Sequence, residues 1–253
     1  MIETAIAIRF AAFPEVQAIA LAGSEGAGAA DELSDIDLYV YATSEIPAEA
    51  RRAIARDFAD RFEIDNRFWE PGDEWIERSS GRGIDIMYRC PAWIEDQLAR
   101  VLVRHEASVG YSTCFWWNVL HSRTLHDANG WYAGLQQAAQ QPYPPELRRA
   151  IVAKNLPILR DNISSYRRQI ERALRRGDRI SVQHRVTAVL ASYWDIVFAV
   201  NGSPHPGEQR LVEHARRRCT RMPRGWEQAV ASLIEAPSPE SLDRLVDGLN
   251  EIL

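Results

Sequence analysis

Ser34-Asp35-Ile36-Asp37 follows Gly23-Ser24 by ten residues, and that spacing brings two pieces of chemistry together. A turn of small residues lets phosphate oxygens approach backbone N–H groups at the start of a helix. In an extended strand residues two apart project the same way, so Asp35 and Asp37 share one face while Ile36, Leu38 and Val40 take the other. Two like charges this close repel, and a hard divalent cation such as magnesium is the simplest reason to keep both ionised. The combination suits metal-assisted phosphoryl or nucleotidyl transfer. Asp-x-Asp alone would read equally well as a solvated, acid-rich strand end; the Gly-Ser ahead of it favours the functional reading.

A third acid stands in Gly83-Ile84-Asp85-Ile86-Met87-Tyr88-Arg89. Ile84, Ile86 and Tyr88 alternate with Asp85, so a half-buried strand sends Asp85 to the face opposite those apolar side chains. A salt-bridged aspartate on an edge strand would give the same pattern. With two acids already in place, the need of a two-metal site for further oxygen ligands favours the third-ligand reading.

Gly23-Ser24, the later Gly28 and the Ser-Asp-Ile-Asp run resemble the signature of the polymerase-beta-like nucleotidyltransferase superfamily, above all its aminoglycoside and lincosamide nucleotidyltransferase group. The resemblance implies that the Gly-Ser turn opens a helix and that Gly23, Ser24 and Ser34 meet the phosphates of a nucleoside triphosphate. It also implies that Asp35, Asp37 and Asp85 hold magnesium, as two ions, and serve catalysis. The architecture of that group, a small catalytic α/β domain followed by a helical bundle, covers essentially the whole chain. A second similarity runs from Phe198-Ala-Val-Asn201 to Pro206-Gly207-Glu208-Gln209-Arg210. Gln209 stands where relatives commonly have lysine, and Ala27 where they often have arginine.

The activity implied is magnesium-dependent transfer of a nucleoside monophosphate, AMP from ATP, onto a hydroxyl of a small molecule such as an aminoglycoside-like antibiotic. Two alternatives belong to other classes: adenylylation of a protein or RNA in the manner of antitoxin relatives, and a catalytically inactive nucleotide-binding relative. The intact acid trio disfavours the inactive form, and the fused bundle favours a small acceptor. A nucleic-acid partner is not expected; a homodimer fits the family, in which one subunit often completes the other's pocket. The general base is either Asp85 or an acid from the helical part such as Glu146, which reads equally as a first-turn acid favouring the helix dipole.

Composition agrees with an ordinary globular chain: 253 residues, 46% hydrophobic and 26% charged. Cys90, Cys114 and Cys219 make neither a CxxC pair nor a zinc pattern, which points to a reducing cytoplasm. No basic n-region precedes an apolar stretch and no segment approaches membrane-spanning length, so neither export nor membrane insertion is expected. The net charge of −5 conceals arginines crowded between Arg148 and Arg224. Most of them read as solvated helix faces, with a basic wall toward polyphosphate or RNA as the alternative. Lys154 is the only lysine; it is either a required phosphate contact or chance. Arg179 and His184 have the spacing of a ribonuclease motif but read as structural, and no histidine spacing suggests a metal site.

These groups need elements to position them. Periodicity predicts a mixed α/β domain over residues 1–140 and an all-helical bundle over 141–253. In the first, helices are expected at Thr4–Phe13, near Gly23, after Pro47 and at Pro91–Arg104, with strands at Val16–Ala22, Asp35–Tyr41, Glu63–Trp69, Gly83–Arg89 and Leu120–His126. Pro71 to Arg82 reads as a polar loop. In the second, a long helix interrupted at Pro157 precedes another stopped by Asn201-Gly202, and the last is opened by Ser238-Pro239-Glu240.

Overall fold

The structure, a computed structural model, describes residues 1–23, 34–68 and 70–253. Contacts divide the chain into two compact units. One comprises Met1–Leu98 with Asn118–Gln141, the other Ala99–Trp117 with Pro142–Leu253. Residues 99–117, expected in the α/β part, thus group with the helices.

The first unit is built on a six-stranded mixed sheet. Its strands are β1 (Val16–Leu21), β2 (Ile36–Ala42), β3 (Ala59–Asn66), β4 (Gly72–Glu77), β5 (Gly83–Arg89) and β6 (Arg123–Asp127), in the order β3-β4-β5-β2-β1-β6. β2 and β5 pair parallel and every other pair is antiparallel. The central strands β1 and β2 are buried along most of their length, which is why both read as apolar runs; β3, at the edge, alternates. Ile36, Leu38, Val40, Ile84, Ile86 and Trp75 form a core with Ile6 and Phe10 of α1 (Ile2–Phe10) and Ile54 of α2 (Ala48–Phe58).

Three elements of this unit depart from the sequence expectation. The stretch from Pro71 to Arg82 contains β4, hidden because Asp73, Glu74 and Glu77 make it look like loop. Asp73 is buried on the core side, where Arg51 of α2 bonds its carboxylate at 2.5 Å and the Tyr88 hydroxyl donates to it at 2.7 Å. The strand expected at Leu120–His126 is split between a helix, α4 (Cys114–His121), and β6. A further helix, α5 (Trp131–Ala139), follows Gly130, whose φ of +70° is a backbone setting suited to glycine. α3 (Pro91–Leu102) lies where the pattern predicts it. The helix expected near Gly23 falls outside the described residues.

The second unit contains α6 (Pro145–Arg160), α7 (Tyr166–Arg175), α8 (Arg179–Val200), α9 (Leu211–Arg218), α10 (Trp226–Glu235) and α11 (Pro239–Leu249). α6 continues through Pro157 and the chain breaks only before Tyr166, so one long expected helix is two. α8 runs through the centre, with Val182, Val186, Val189, Tyr193, Ile196 and Val197 in the core. Asp178 caps its start by accepting from the Ser181 N–H at 3.0 Å. α11 opens at Ser238-Pro239, as its sequence predicts, and Ser238 and Ser241 form a reciprocal capping box there. Among the described residues, no helix is long and apolar enough to cross a membrane.

Candidate active site

Parallel pairing of β2 with β5 sets Asp37 directly opposite Asp85, with Ile36 opposite Ile84 and Leu38 opposite Ile86 on the core face. The two aspartates therefore occupy the other face, side by side on neighbouring strands about 4.8 Å apart. Asp35, two residues before Asp37, emerges beside Gly83 at the start of β5. A β-carbon on Gly83 would stand 2.9 Å from Asp35 Cγ, so a side chain there would displace that carboxylate from its present position. Gly23 does the same for Asp37: its φ is +58°, and a β-carbon there would stand 2.8 Å from Asp37 Cγ. Ala22 donates its N–H to the Asp37 carbonyl at 2.9 Å, which ties the end of β1 to the acid strand.

The row of acids continues beyond the three foreseen. Glu74 on β4 pairs directly with Asp85, and Glu63 on β3 with Glu74. Glu63, Glu74, Asp85 and Asp37 thus stand in register across four adjacent strands, a span of about 14 Å at ordinary strand spacing. Like charges directly opposite destabilise a sheet. Two of the four, Asp37 and Asp85, hold their protons more tightly than an ordinary aspartate. Burial pushes Asp37 up to about 6, helped by Asp85 and then Asp35. Burial, followed by Asp35 and Glu74, pushes Asp85 up to about 6 as well. Asn66 offsets a little of this by donating to Glu74 at 2.8 Å.

Arg82, a residue to which the sequence attached no role, grips the Ser34 carbonyl with Nε at 3.1 Å and Nη2 at 2.7 Å. It thereby fixes the backbone immediately before Asp35 to the strand that carries Asp85. An open depression of about 460 Å3 reaches Asp35, Glu63, Glu74 and Asp85, and Arg61 also lines it. A second, of about 190 Å3, meets it at Asp85 and Glu74. The signal for Glu74 was present in the chain, but only its pairing with Asp85 exposes it, because the loop reading of Pro71–Arg82 gave it no face.

The donor set suits a hard cation: carboxylate oxygens only, in a field that penalises their charges until one arrives. Among the described residues, no three histidine, cysteine, aspartate or glutamate side chains already converge as metal ligands; the acids form a row rather than a closed cage. Ser24, Ala27 and Gly28 lie outside the described residues. Lys154 is exposed on α6, in the helical unit. Glu146 opens the same helix, where its own amide and Arg149 hold its carboxyl below the usual range, as a first-turn acid should be.

The segment from Asn201 to Arg210 performs structural work within the helical unit. The His205 N–H donates to Thr113 Oγ1 at 2.7 Å, and its ring Nδ1 accepts from the Gly207 N–H at 3.1 Å. Burial, with a smaller contribution from His214, lowers the His205 pKa to about 3, so the ring is neutral.

No family model and no curated protein matches the chain. Among solved structures, a nucleotidyltransferase-like protein from Exiguobacterium sibiricum 255-15 is similar over 100% of this chain and 74% of its own, at 12% identity and a TM-score of 0.45. The E. coli MS115-1 CdnC:HORMA-deltaN complex is similar over 99% and 88%, at 14% identity and a TM-score of 0.28. Likenesses this distant add nothing to the geometry. The chain is, on its own evidence, a two-unit protein: a mixed sheet bearing a row of carboxylates, and an all-helical unit.

Proposed function

We propose that the α/β unit is a nucleotidyltransferase that moves a nucleoside monophosphate, AMP from ATP, onto a hydroxyl of a small molecule. The observation that carries the reading is the in-register pair Asp37 and Asp85, flanked by Asp35 and fitted against Gly23. Asp35, Asp37 and Asp85 would hold magnesium, which when bound supplies positive charge to the triphosphate oxygens and the leaving pyrophosphate. Gly23 and Ser24 would take the phosphates, with Ser34 beside them; a contribution from Lys154 remains part of the proposal.

The acceptor oxygen forms its bond to the α-phosphorus as the bridge to the β-phosphate breaks. Pyrophosphate leaves, and the acceptor proton passes to Asp85, which lines both depressions and stands beside Asp37. The protein's work is positioning and charge, with no covalent intermediate. Arg82 holds the backbone of Ser34 and Gly83 leaves space for Asp35, so these two residues preset the acid entering the site. Glu74 and Glu63 extend the negative field away from the reacting centre, which supports an acceptor bearing ammonium groups, as an aminoglycoside-like antibiotic does.

The test is to incubate the protein with α-labelled nucleoside triphosphates, magnesium and a panel of aminoglycosides, lincosamides, cell-extract RNA and proteins. Label on a small molecule, with stoichiometric pyrophosphate and loss of both in Asp37→Asn, is the expected result. Label confined to RNA or protein would replace this reading with the macromolecule modifier, and no transfer to anything would remove the enzymatic reading.

A further inference from the structure

Residues 165–185 contain seven arginines and two carboxylates in a chain whose net charge is −5. Most of this charge lies on α7. Its apolar side, Ile170 and Ala173, is buried in the helical core, and the opposite side carries Arg168, Arg172 and Arg175. Arg168, Arg172 and Arg176 follow one another at intervals of four residues, about 6 Å per step along the axis. All three are exposed.

Surface arginines on a bundle are ordinarily neutralised by neighbours, and several here are. Arg167 bonds Asp243 at 2.8 Å, Arg175 bonds Glu171 at 2.5 Å, Arg216 bonds Glu227 at 2.7 Å and Arg217 bonds Glu213 at 2.6 Å. Arg168, Arg172, Arg176 and Arg179 have no carboxylate within ion-pair distance among the described residues. A depression of about 390 Å3 runs along this side, lined by four arginines and Glu171. Unpaired like charges held in one row repel one another, and a polyanion is the partner that relieves them all at once.

We infer that the exposed side of α7 and the start of α8 form a docking strip for the phosphodiester backbone of a nucleic acid strand. Successive phosphates match a row of evenly spaced guanidinium groups, each able to take two phosphate oxygens. A membrane-binding helix would present apolar side chains beside its cations, whereas the apolar side of α7 is turned into the core. Leu174 and Ile180 are the large apolar side chains exposed beside the arginines, too few to make the apolar centre that anchors a protein-binding surface. The strip lies within the helical unit and the inference makes no use of the acid row, so the two readings stand or fall separately.

The test uses the full chain and fluorescence anisotropy with labelled 20-nucleotide RNA and DNA, single-stranded and duplex, between 50 and 200 mM salt and without nucleoside triphosphate. Binding is expected to weaken with salt at a log–log slope of about −2 to −3 for single strands, which corresponds to three or four phosphate contacts at about 0.7 each. R168Q/R172Q/R176Q should lower affinity at least tenfold and flatten the slope by about 2. R216Q/R217Q, which removes only paired arginines, should leave affinity within about twofold. Circular dichroism and the melting temperature report folding of both variants; if the glutamine triple fails to fold, R168Q/R172Q with a slope change of about 1.4 serves instead. Tighter binding of RNA than of DNA, or the reverse, names the source of the strand. The inference is overturned if the triple variant binds as the parent does, if no strand binds at 50 mM salt, or if the protein is retained only by anionic phosphatidylserine vesicles.

Discussion

Gly23 touches the carboxylate of Asp37: with φ at +58° and no room for a β-carbon, it is the residue whose absence of a side chain lets the acid stand where it does. Gly83, whose backbone is not left-handed, likewise lies against the Asp35 carboxylate. Each glycine thus serves an acid from a different segment, and the site is shaped as much by missing atoms as by the carboxylates.

Gly23→Ala should therefore damage the site twice. The left-handed backbone costs a non-glycine residue about 1–2 kcal/mol, and the methyl group must push the Asp37 carboxylate aside. Nucleotidyl transfer should fall at least a hundredfold, with a loss in urea stability of about 1–3 kcal/mol. A variant with parental rates would show that the close approach is incidental.

Asp37→Asn should uncouple stability from activity. Removing one charge from four in a row relieves repulsion worth about 0.2–1 kcal/mol per opposed pair. In chelator, the variant should melt at or above the parent's temperature while transfer is abolished. Magnesium should raise the melting temperature of the parent and leave that of the variant nearly unchanged, as differential scanning fluorimetry will record.

Glu74→Gln separates acceptor recognition from chemistry. Because Glu74 extends the acid row past Asp85, its charge should matter for ammonium-bearing acceptors and not for neutral ones. For a cationic acceptor KM is expected to rise about tenfold with kcat within twofold, a difference of about 1.4 kcal/mol in binding. An equal loss for neutral acceptors would assign Glu74 a structural role.

Asp195, buried on α8, supplies a pH test in the helical unit. Burial pushes its carboxyl up to about 6, although the Ser112 hydroxyl at 2.6 Å, the Ser112 N–H at 3.0 Å and Asn155 at 3.3 Å all donate to it and Arg100 is nearby. A folded pKa above the unfolded value means that its contribution to stability is fully present below about pH 4 and is lost as pH rises through about 6. The loss is on the order of 2–3 kcal/mol. Asp195→Asn should lack that slope, so the stability difference between variant and parent in urea melts should change between pH 4.5 and 7. A parallel pair of pH curves would contradict it.

Much of this molecule was legible before any fold was known. The alternation in Ser34-Asp35-Ile36-Asp37 and in Ile84-Asp85-Ile86 assigns each acid a side of its strand, since the period of two is local. The helix start at Ser238 and the apolar stripe of α8 are likewise short-range signals. What local period cannot carry is who sits beside whom. Asp37 and Asp85 are neighbours because β2 and β5 pair parallel at one register, and a slip of one residue would send Asp85 to the opposite face. β4 escaped notice because a strand whose core side holds a buried Asp73 looks polar until Arg51 and Tyr88 are brought to it. α4, apolar nearly all round with Phe115, Trp116 and Trp117, has no face for a periodic reading to find. The chain alone determined which residues carry charge and on which side of their own element; the pairing of strands decided that four carboxylates share a line, and only pairing could, because a long-range contact is stabilised by surfaces that do not exist until both partners have folded.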